Sequence, residues 1–269
     1  MPTTHATNRE QLQKRLRRFL EAPALRERRN LREDILPFFA GLGPTVIIGG
    51  LPRDIARKGW QGFSSDIDLV VQPTDYGRYK SAMEEMGAVR NRFGGYGMAM
   101  GGWRVDAWAL SDTWAREAGH RRVNEFSDLL DCTFFDSDAV LYNVTTRRVI
   151  ARGDYFERLS NRILDINLAE NPNVLGSALR TLRRALAWDV RLSARLADYV
   201  LGAVAAHGWH ALVELERTAF HHSIVRHEDA DRIIQQLQER ERAFDQWATG
   251  RLAERPYQLQ FPERALAVG

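Results

Sequence analysis

TVIIGGLPRDIARKGWQGFSSDIDLVVQ, residues 45–72, is the stretch that decides the fold. A β-branched run, Val46-Ile47-Ile48, stops at Gly49-Gly50; a helical segment opened by Pro52 follows; a second strand then starts at Asp66-Ile67-Asp68. Side chains alternate faces along a strand, so Asp66 and Asp68 share one face while Ile67, Leu69 and Val71 turn into the protein. Two neighbouring carboxylates repel unless cations lie between them, which points to a divalent metal. Paired glycines at a strand end before a helix let backbone N–H groups approach an anion such as a phosphate. A metal beside a phosphate suggests a nucleotide.

Working outward, the strand 103–109, WRVDAWA, alternates in the same way and sets Asp106 on one face with Arg104 and Trp108, opposite Val105, Ala107 and Ala109. A third carboxylate near the first pair completes the ligand set that a two-metal site needs. Trp103 and Trp108 offer either a stacking surface for a base or core packing. The glycine-rich span from Phe93 to Gly102 reads as a hairpin connection or a flap. Ahead of it, Thr74 is expected to cap a helix carrying Tyr76, Tyr79, Met83 and Met86, and a short strand is expected from Val89 to Arg92.

These residues resemble the DNA polymerase β-like nucleotidyltransferase superfamily, and within it the head domain of poly(A) polymerases and class II CCA-adding enzymes. The motif is Gly-Gly-x-x-Arg-Asp followed by Asp-x-Asp on a strand, here Gly49, Gly50, Arg53, Asp54, Asp66 and Asp68. The gap between the halves is longer than usual and filled by Gly59-Trp60-Gln61-Gly62. A second block, around Leu129 to Val144, fits at Asp131, Thr133 and Phe134, with Leu129 and Leu130 where the family has two arginines. A third, on the helix after Asn173, resembles the neck motif Glu-Asp-x-x-Arg: Arg180 matches, but Gly176 and Ser177 replace the acidic pair that selects the base. Arg183 lies on the same helix.

The resemblance implies an α+β fold: a mixed-sheet, palm-like head followed by an all-helical neck and C-terminal region. The expected boundaries are basic N-terminal helices over 1–36, the head over 37–153, the helical domain over 154–250 and an extended tail over 251–269. It also implies catalysis by Asp66, Asp68 and Asp106 on two Mg²⁺ ions, which Mn²⁺ could replace, with Gly49, Gly50, Arg53, Asp54, Arg180 and Arg183 binding a nucleoside triphosphate such as ATP. The implied acceptor is an RNA 3′ end, with tRNA favoured. Loss of the acidic pair argues against faithful C, C, A addition. Two other readings stay open: a toxin or protein-AMPylating enzyme, for which the acceptor or partner is a protein or a tRNA, and an inactive nucleotide-binding or antitoxin-like module.

Composition agrees without deciding. Of 38 Lys and Arg only Lys14, Lys58 and Lys80 are lysine, leaving 35 arginines; their planar forks suit phosphates, although base composition of the gene raises arginine equally. The segment Asn8–Arg29 reads as one amphipathic helix with a basic face, solvated or lying on RNA, and Asn30 with Glu33 as a capping box for a second helix ending before Pro37. The single cysteine, Cys132, excludes an internal disulfide. No run approaches the ~20 apolar residues of a membrane span, so a soluble cytoplasmic protein without membrane contact is expected. His221, His222 and His227-Glu228-Asp229 match a hydrolase metal pattern, and the Arg217 to His222 spacing a ribonuclease one, but about three matches to the arginine-to-histidine spacing arise by chance.

Overall fold

Strand β1 (Thr45–Ile48) carries the β-branched run, and β2 (Ile67–Val71) returns antiparallel to it, Ile48 opposite Asp68. The computed structural model describes residues 5–22, 26–59, 63, 65–91, 93–188, 190–247 and 257–258, with side chains left out for 239–247 and 257–258. The expected features at Trp60-Gln61-Gly62 and Arg92, and the tail apart from Tyr257 and Gln258, lie outside the described residues.

Together with β3 (Val89–Arg90), β4 (Tyr96–Met100), β5 (Trp103–Ala109), β6 (Val140–Asn143) and β7 (Arg148–Ala151), these strands form a seven-stranded sheet in the order β3-β4-β5-β2-β1-β6-β7. Only β2 and β5 are parallel; every other neighbouring pair is antiparallel. The fold is thus α+β with a mixed sheet. The chain divides into two compact units, residues 1–133 with 137–160, and residues 134–136 with 161–269.

In the first unit one sheet face is closed by helices. Ile47, Ile67, Leu69, Val71, Val105, Ala107 and Ala109 pack there with Leu12, Leu16 and Phe19 of α1 (Arg9–Glu21). The N-terminal helix is therefore part of this core: its apolar stripe recurs every third or fourth residue and has a sheet face to cover. The other face is divided. Val46, Val70 and Leu141 are covered by the segment holding Leu110, Val123, Phe126, Leu129 and Leu130. Asp68 and Asp106 stand on that same face by alternation.

Several local expectations are corrected. Asn8 does cap α1, its side chain accepting from Gln11 N–H at 2.9 Å. The helix stops at Glu21 rather than Arg29, because Ala22 precedes Pro23 and takes extended backbone. Asn30 caps nothing: α2 (Arg26–Asn30) runs through a π-helical turn, Leu31–Ile35, into α3 (Leu36–Ala40), and Asn30 donates instead to Gly101 O at 2.9 Å. Pro37, which lacks an N–H, follows directly on that π-helical turn, near the start of α3. After α4 (Gly50–Lys58), the cap of α5 (Tyr76–Glu85) is Asp75, not Thr74. The glycine span Phe93–Gly102 is no loop, since it contains β4, whose Tyr96 and Met98 alternate into the core. A short helix α6 (Trp114–Glu117) follows β5, and α7 (Tyr155–Ser160) ends the unit.

The second unit is built on α8 (Val174–Trp188), α9 (Ala194–His207), α10 (Trp209–Ala219) and α11 (Ala230–Trp247). Three two-residue strands, β8 (Ile163–Leu164), β9 (Arg191–Leu192) and β10 (Tyr257–Gln258), form a small sheet beside the helices expected here. Asn173 caps α8, accepting from Gly176 N–H at 3.1 Å, and Ala178, Leu179, Leu182, Ala185 and Leu186 are buried. Arg184 is buried, its guanidinium 4.0 Å from the Phe135 ring centroid and 4.7 Å from that of Trp188. An arginine can enter a core in this way because its flat cation stacks on aromatic faces. Among the described residues no helix is long and apolar enough to cross a membrane.

Candidate active site

Asp68 and Asp106 are direct register partners across the parallel pair β2 and β5. Equivalent positions on adjacent strands point to the same face, so the pairing sets the two carboxylates side by side. Asp66 precedes β2 by one residue, and its field, like that of Asp106, is felt at Asp68. Burial first, then Asp106 and Asp66, push the Asp68 carboxyl from 3.8 up to about 7; Arg53 and a hydrogen bond from the Gly50 N–H pull the other way. Asp66 is also raised, by burial first; Arg104, with Nε 3.6 Å from Oδ2 of Asp66, opposes this and Asp106 adds to it. Such mutual repulsion on one sheet face is the condition that a divalent cation relieves.

The glycine turn closes on this pair. Gly49 has φ +72° and ψ −120°, outside the regions open to other residues, and a Cβ there would lie 2.9 Å from Asp68 Oδ2. The strand-to-helix turn can therefore touch the carboxylate only because position 49 has no side chain. The Gly50 N–H, read from sequence as a phosphate donor, donates to Asp68. Ser65 Oγ stands 3.0 Å from the Cβ position of Gly50, a hydroxyl at the turn that the motif did not single out.

Arg53 and Asp54 brace the start of α4. Arg53 donates from Nε to Asp54 Oδ1 and from Nη1 to Asp138 Oδ1, both at 2.8 Å, and its Nη2 lies 3.7 Å from the Cβ position of Gly50. Burial works against the Arg53 charge, but the two carboxylates outweigh it and raise its pKa. Asp138, from the 3-10 turn Asp136–Asp138, was missed by sequence reading because a lone Asp in a turn carries no motif.

Asp106 has its own supports. Asn91 Nδ2 donates to Asp106 Oδ1 at 3.2 Å, while Asn91 Oδ1 accepts from Phe93 N–H at 2.9 Å and Gly95 N–H at 3.1 Å. On the other side, a Cβ at Gly97, the register partner on β4, would lie 3.0 Å from Asp106 Oδ1. The tryptophans nearby are used in packing: Trp103 stacks on Phe63 and donates to Glu27 O at 2.7 Å, and Trp108 donates to Phe93 O at 3.1 Å. Ligand atoms of the three aspartates do not all fall within 4.8 Å of one another.

Asp66, Asp68, Asp106, Gly49, Gly50, Arg53 and Asp54 all belong to the first unit. Arg180 and Arg183 belong to the second, where each has local partners. Arg180 Nη2 donates to Ser177 Oγ at 3.2 Å. Arg183 pairs with the fully buried Glu216, donates to His222 O at 2.8 Å and covers the Phe220 ring at 4.0 Å.

No protein-family model matches the chain, and no curated protein does. Among solved structures it is similar to a Thermotoga maritima CCA-adding enzyme complexed with tRNA, at 18% identity over 81% of this chain and 53% of that one, TM-score 0.47. It is similar also to a tRNA-processing enzyme with CTP, at 18% identity over 78% and 56% of the two chains, TM-score 0.47. A tRNA nucleotidyltransferase complexed with a primer tRNA and an incoming ATP analog gives 17% identity over 81% and 71%, TM-score 0.45. The chain spans about half the length of the first two.

Proposed function

We propose that this protein is a Mg²⁺-dependent nucleotidyltransferase that moves a nucleoside monophosphate from a nucleoside triphosphate to an acceptor hydroxyl, with release of pyrophosphate. The acceptor proposed is an RNA 3′ end, tRNA foremost. One observation carries the reading: Asp68 and Asp106 are register partners on adjacent parallel strands, with the glycine turn pressed against Asp68.

The donor set is three carboxylates and no imidazole, which fits a hard, oxygen-liganded cation; Asp66, Asp68 and Asp106 would hold it. When bound, the metal pair lowers the pKa of the attacking hydroxyl and offsets charge on the leaving pyrophosphate. The chain's own residues do the positioning. Gly50 fixes the Asp68 carboxylate, Asn91 fixes that of Asp106, and Arg104 partly neutralises Asp66. Arg53, held between Asp54 and Asp138, keeps the first turn of α4 in place, so that the triphosphate can lie along Gly49 and Gly50 beside Ser65. Arg180 enters the proposal through the motif resemblance alone, and Arg183 through its place on the same helix. RNA as acceptor rests on the same resemblance and on the arginine excess.

The test is to incubate the protein with Mg²⁺, each α-labelled nucleoside triphosphate in turn, and total cellular RNA or protein. Label in RNA with pyrophosphate release supports the proposal. Label in protein places the acceptor elsewhere, and nucleotide binding without pyrophosphate release contradicts enzymatic turnover.

A further inference from the structure

Among the described residues, one group of metal-ligating side chains has its ligand atoms all within 4.8 Å of one another: His210, Glu214 and His227, in the second unit. None belongs to the site above. Two of them come from α10, where a spacing of four residues stacks His210 and Glu214 on one face. The opposite face is anchored by buried Trp209, Leu212 and Glu216, so the pair is presented outward from a fixed helix.

The third ligand is brought in by a strap. Ile224 N–H and Val225 N–H both donate to Glu216 Oε2, at 3.1 and 2.8 Å, and Trp209 Nε1 donates to Arg226 O at 3.0 Å. Three hydrogen bonds thus tie 224–226 to α10, and the chain then turns into a 3-10 segment that begins at His227. The His227 ring lies 5.2 Å from that of His210, the planes only 17° apart. The strap makes no use of the imidazoles themselves, yet it delivers the second beside the first.

We infer that His210, Glu214 and His227 form a binding site for a zinc-class divalent cation. Two imidazoles and one carboxylate match the donor set of three-ligand zinc sites, which keep a further position for water or a ligand. Magnesium and calcium prefer oxygen donors, so the imidazoles select zinc, nickel or copper instead. Ligand distances of about 2.1 Å in a tetrahedron put donor atoms about 3.4 Å apart, which rotation of exposed side chains reaches from the present spacing. One neighbour competes: Arg217 donates to Glu214 Oε2 from Nη2 at 2.8 Å and from Nε at 3.2 Å. Arg217 is 70% exposed and free to swing into solvent, so it weakens the site without closing it.

The experiment measures Zn²⁺ binding by competition with a chromogenic chelator, in excess Mg²⁺, using the full chain carrying Asp68→Asn and Asp106→Asn so that the acidic site is disabled. One equivalent of Zn²⁺ is expected to bind. His210→Ala and His227→Ala should each weaken it at least about tenfold, Arg217→Ala should strengthen it, and His207→Ala should leave it unchanged. Binding equal to the parent in both His210→Ala and His227→Ala overturns the proposal, as does displacement of the zinc by Mg²⁺. Should the alanine variants misfold, Co²⁺ loaded into the parent decides: a visible spectrum of nitrogen-ligated, low-coordinate cobalt supports the site, and the spectrum of six-coordinate, oxygen-ligated cobalt refutes it.

Discussion

Replacing Asp68 by Asn separates what this side chain costs the fold from what it contributes to the proposed chemistry. Asn keeps the shape and the acceptor for the Gly50 N–H and removes the charge. In the native protein burial, then Asp106 and Asp66, hold the carboxyl at about 7 instead of 3.8. That difference corresponds to at most about 4 kcal/mol against the charged form; water and counterions reaching a half-buried group reduce it to about 1–2 kcal/mol. Because native Asp68 binds its proton more tightly than the unfolded chain does, its contribution to stability is intact below about pH 4 and is lost as the pH rises through about 7. In metal-free buffer, Asp68→Asn should therefore be about 1–2 kcal/mol more stable than wild type at pH 8 and equal to it near pH 4. Urea unfolding of the first unit, in EDTA at both pH values, reads this directly. Mg²⁺ at ten times its dissociation constant should return about 1.4 kcal/mol to the wild type and little to the variant, while Mg²⁺-dependent turnover is lost in the variant. A variant less stable than wild type at pH 8, or one whose advantage is the same at both pH values, refutes the claim that crowded carboxylates dominate this face.

Other perturbations follow from the same contacts. Gly49→Ala forces a Cβ against Asp68 Oδ2 and a side chain into φ +72°; it should cost about 1–3 kcal/mol of stability and lower turnover by about 10- to 100-fold, measured by urea unfolding and steady-state kinetics. Arg53→Ala strips Asp54 and Asp138 of their shared cation and should destabilise the first unit by about 3–5 kcal/mol, seen as a lower unfolding midpoint that Arg53→Lys only partly restores. Glu216→Ala removes the buried acceptor for Arg183, Ile224 N–H and Val225 N–H; a loss of about 3–5 kcal/mol confined to the second unit is expected, and amide exchange at residues 224 and 225 should accelerate.

Much of this architecture was legible because strands impose a period of two. The alternation around Asp68 and Asp106 set their faces without any tertiary information, and burial of Ile67, Leu69, Val105 and Ala107 follows that reading. The nearness of the Asp106 strand to the first pair was expected from the metal-site chemistry, but the parallel register of β2 with β5 was not legible: parallel neighbours joined by a long crossover leave no local signal of it. Asn91 escaped notice because it fell inside the short strand expected from Val89 to Arg92; the strand ends at Arg90, and Asn91 bonds the following turn through its Oδ1 while its amide nitrogen holds Asp106. Burial of Arg184 was not legible, since helical periodicity assigns an arginine to solvent and cannot foresee the rings of Phe135 and Trp188 beside it. The Asn30 cap failed for a related reason: a capping box is only a local preference, and packing of Leu31, Ile35 and Leu36 carried the helix through it.

The most direct measurement is a crystal structure of the protein with Mn²⁺ and a nonhydrolysable nucleoside triphosphate, with anomalous scattering recorded for manganese. Two peaks among Asp66, Asp68 and Asp106, with the triphosphate along Gly49 and Gly50, are the predicted result. Nucleotide bound elsewhere, with no manganese beside Asp68 and Asp106, would contradict it.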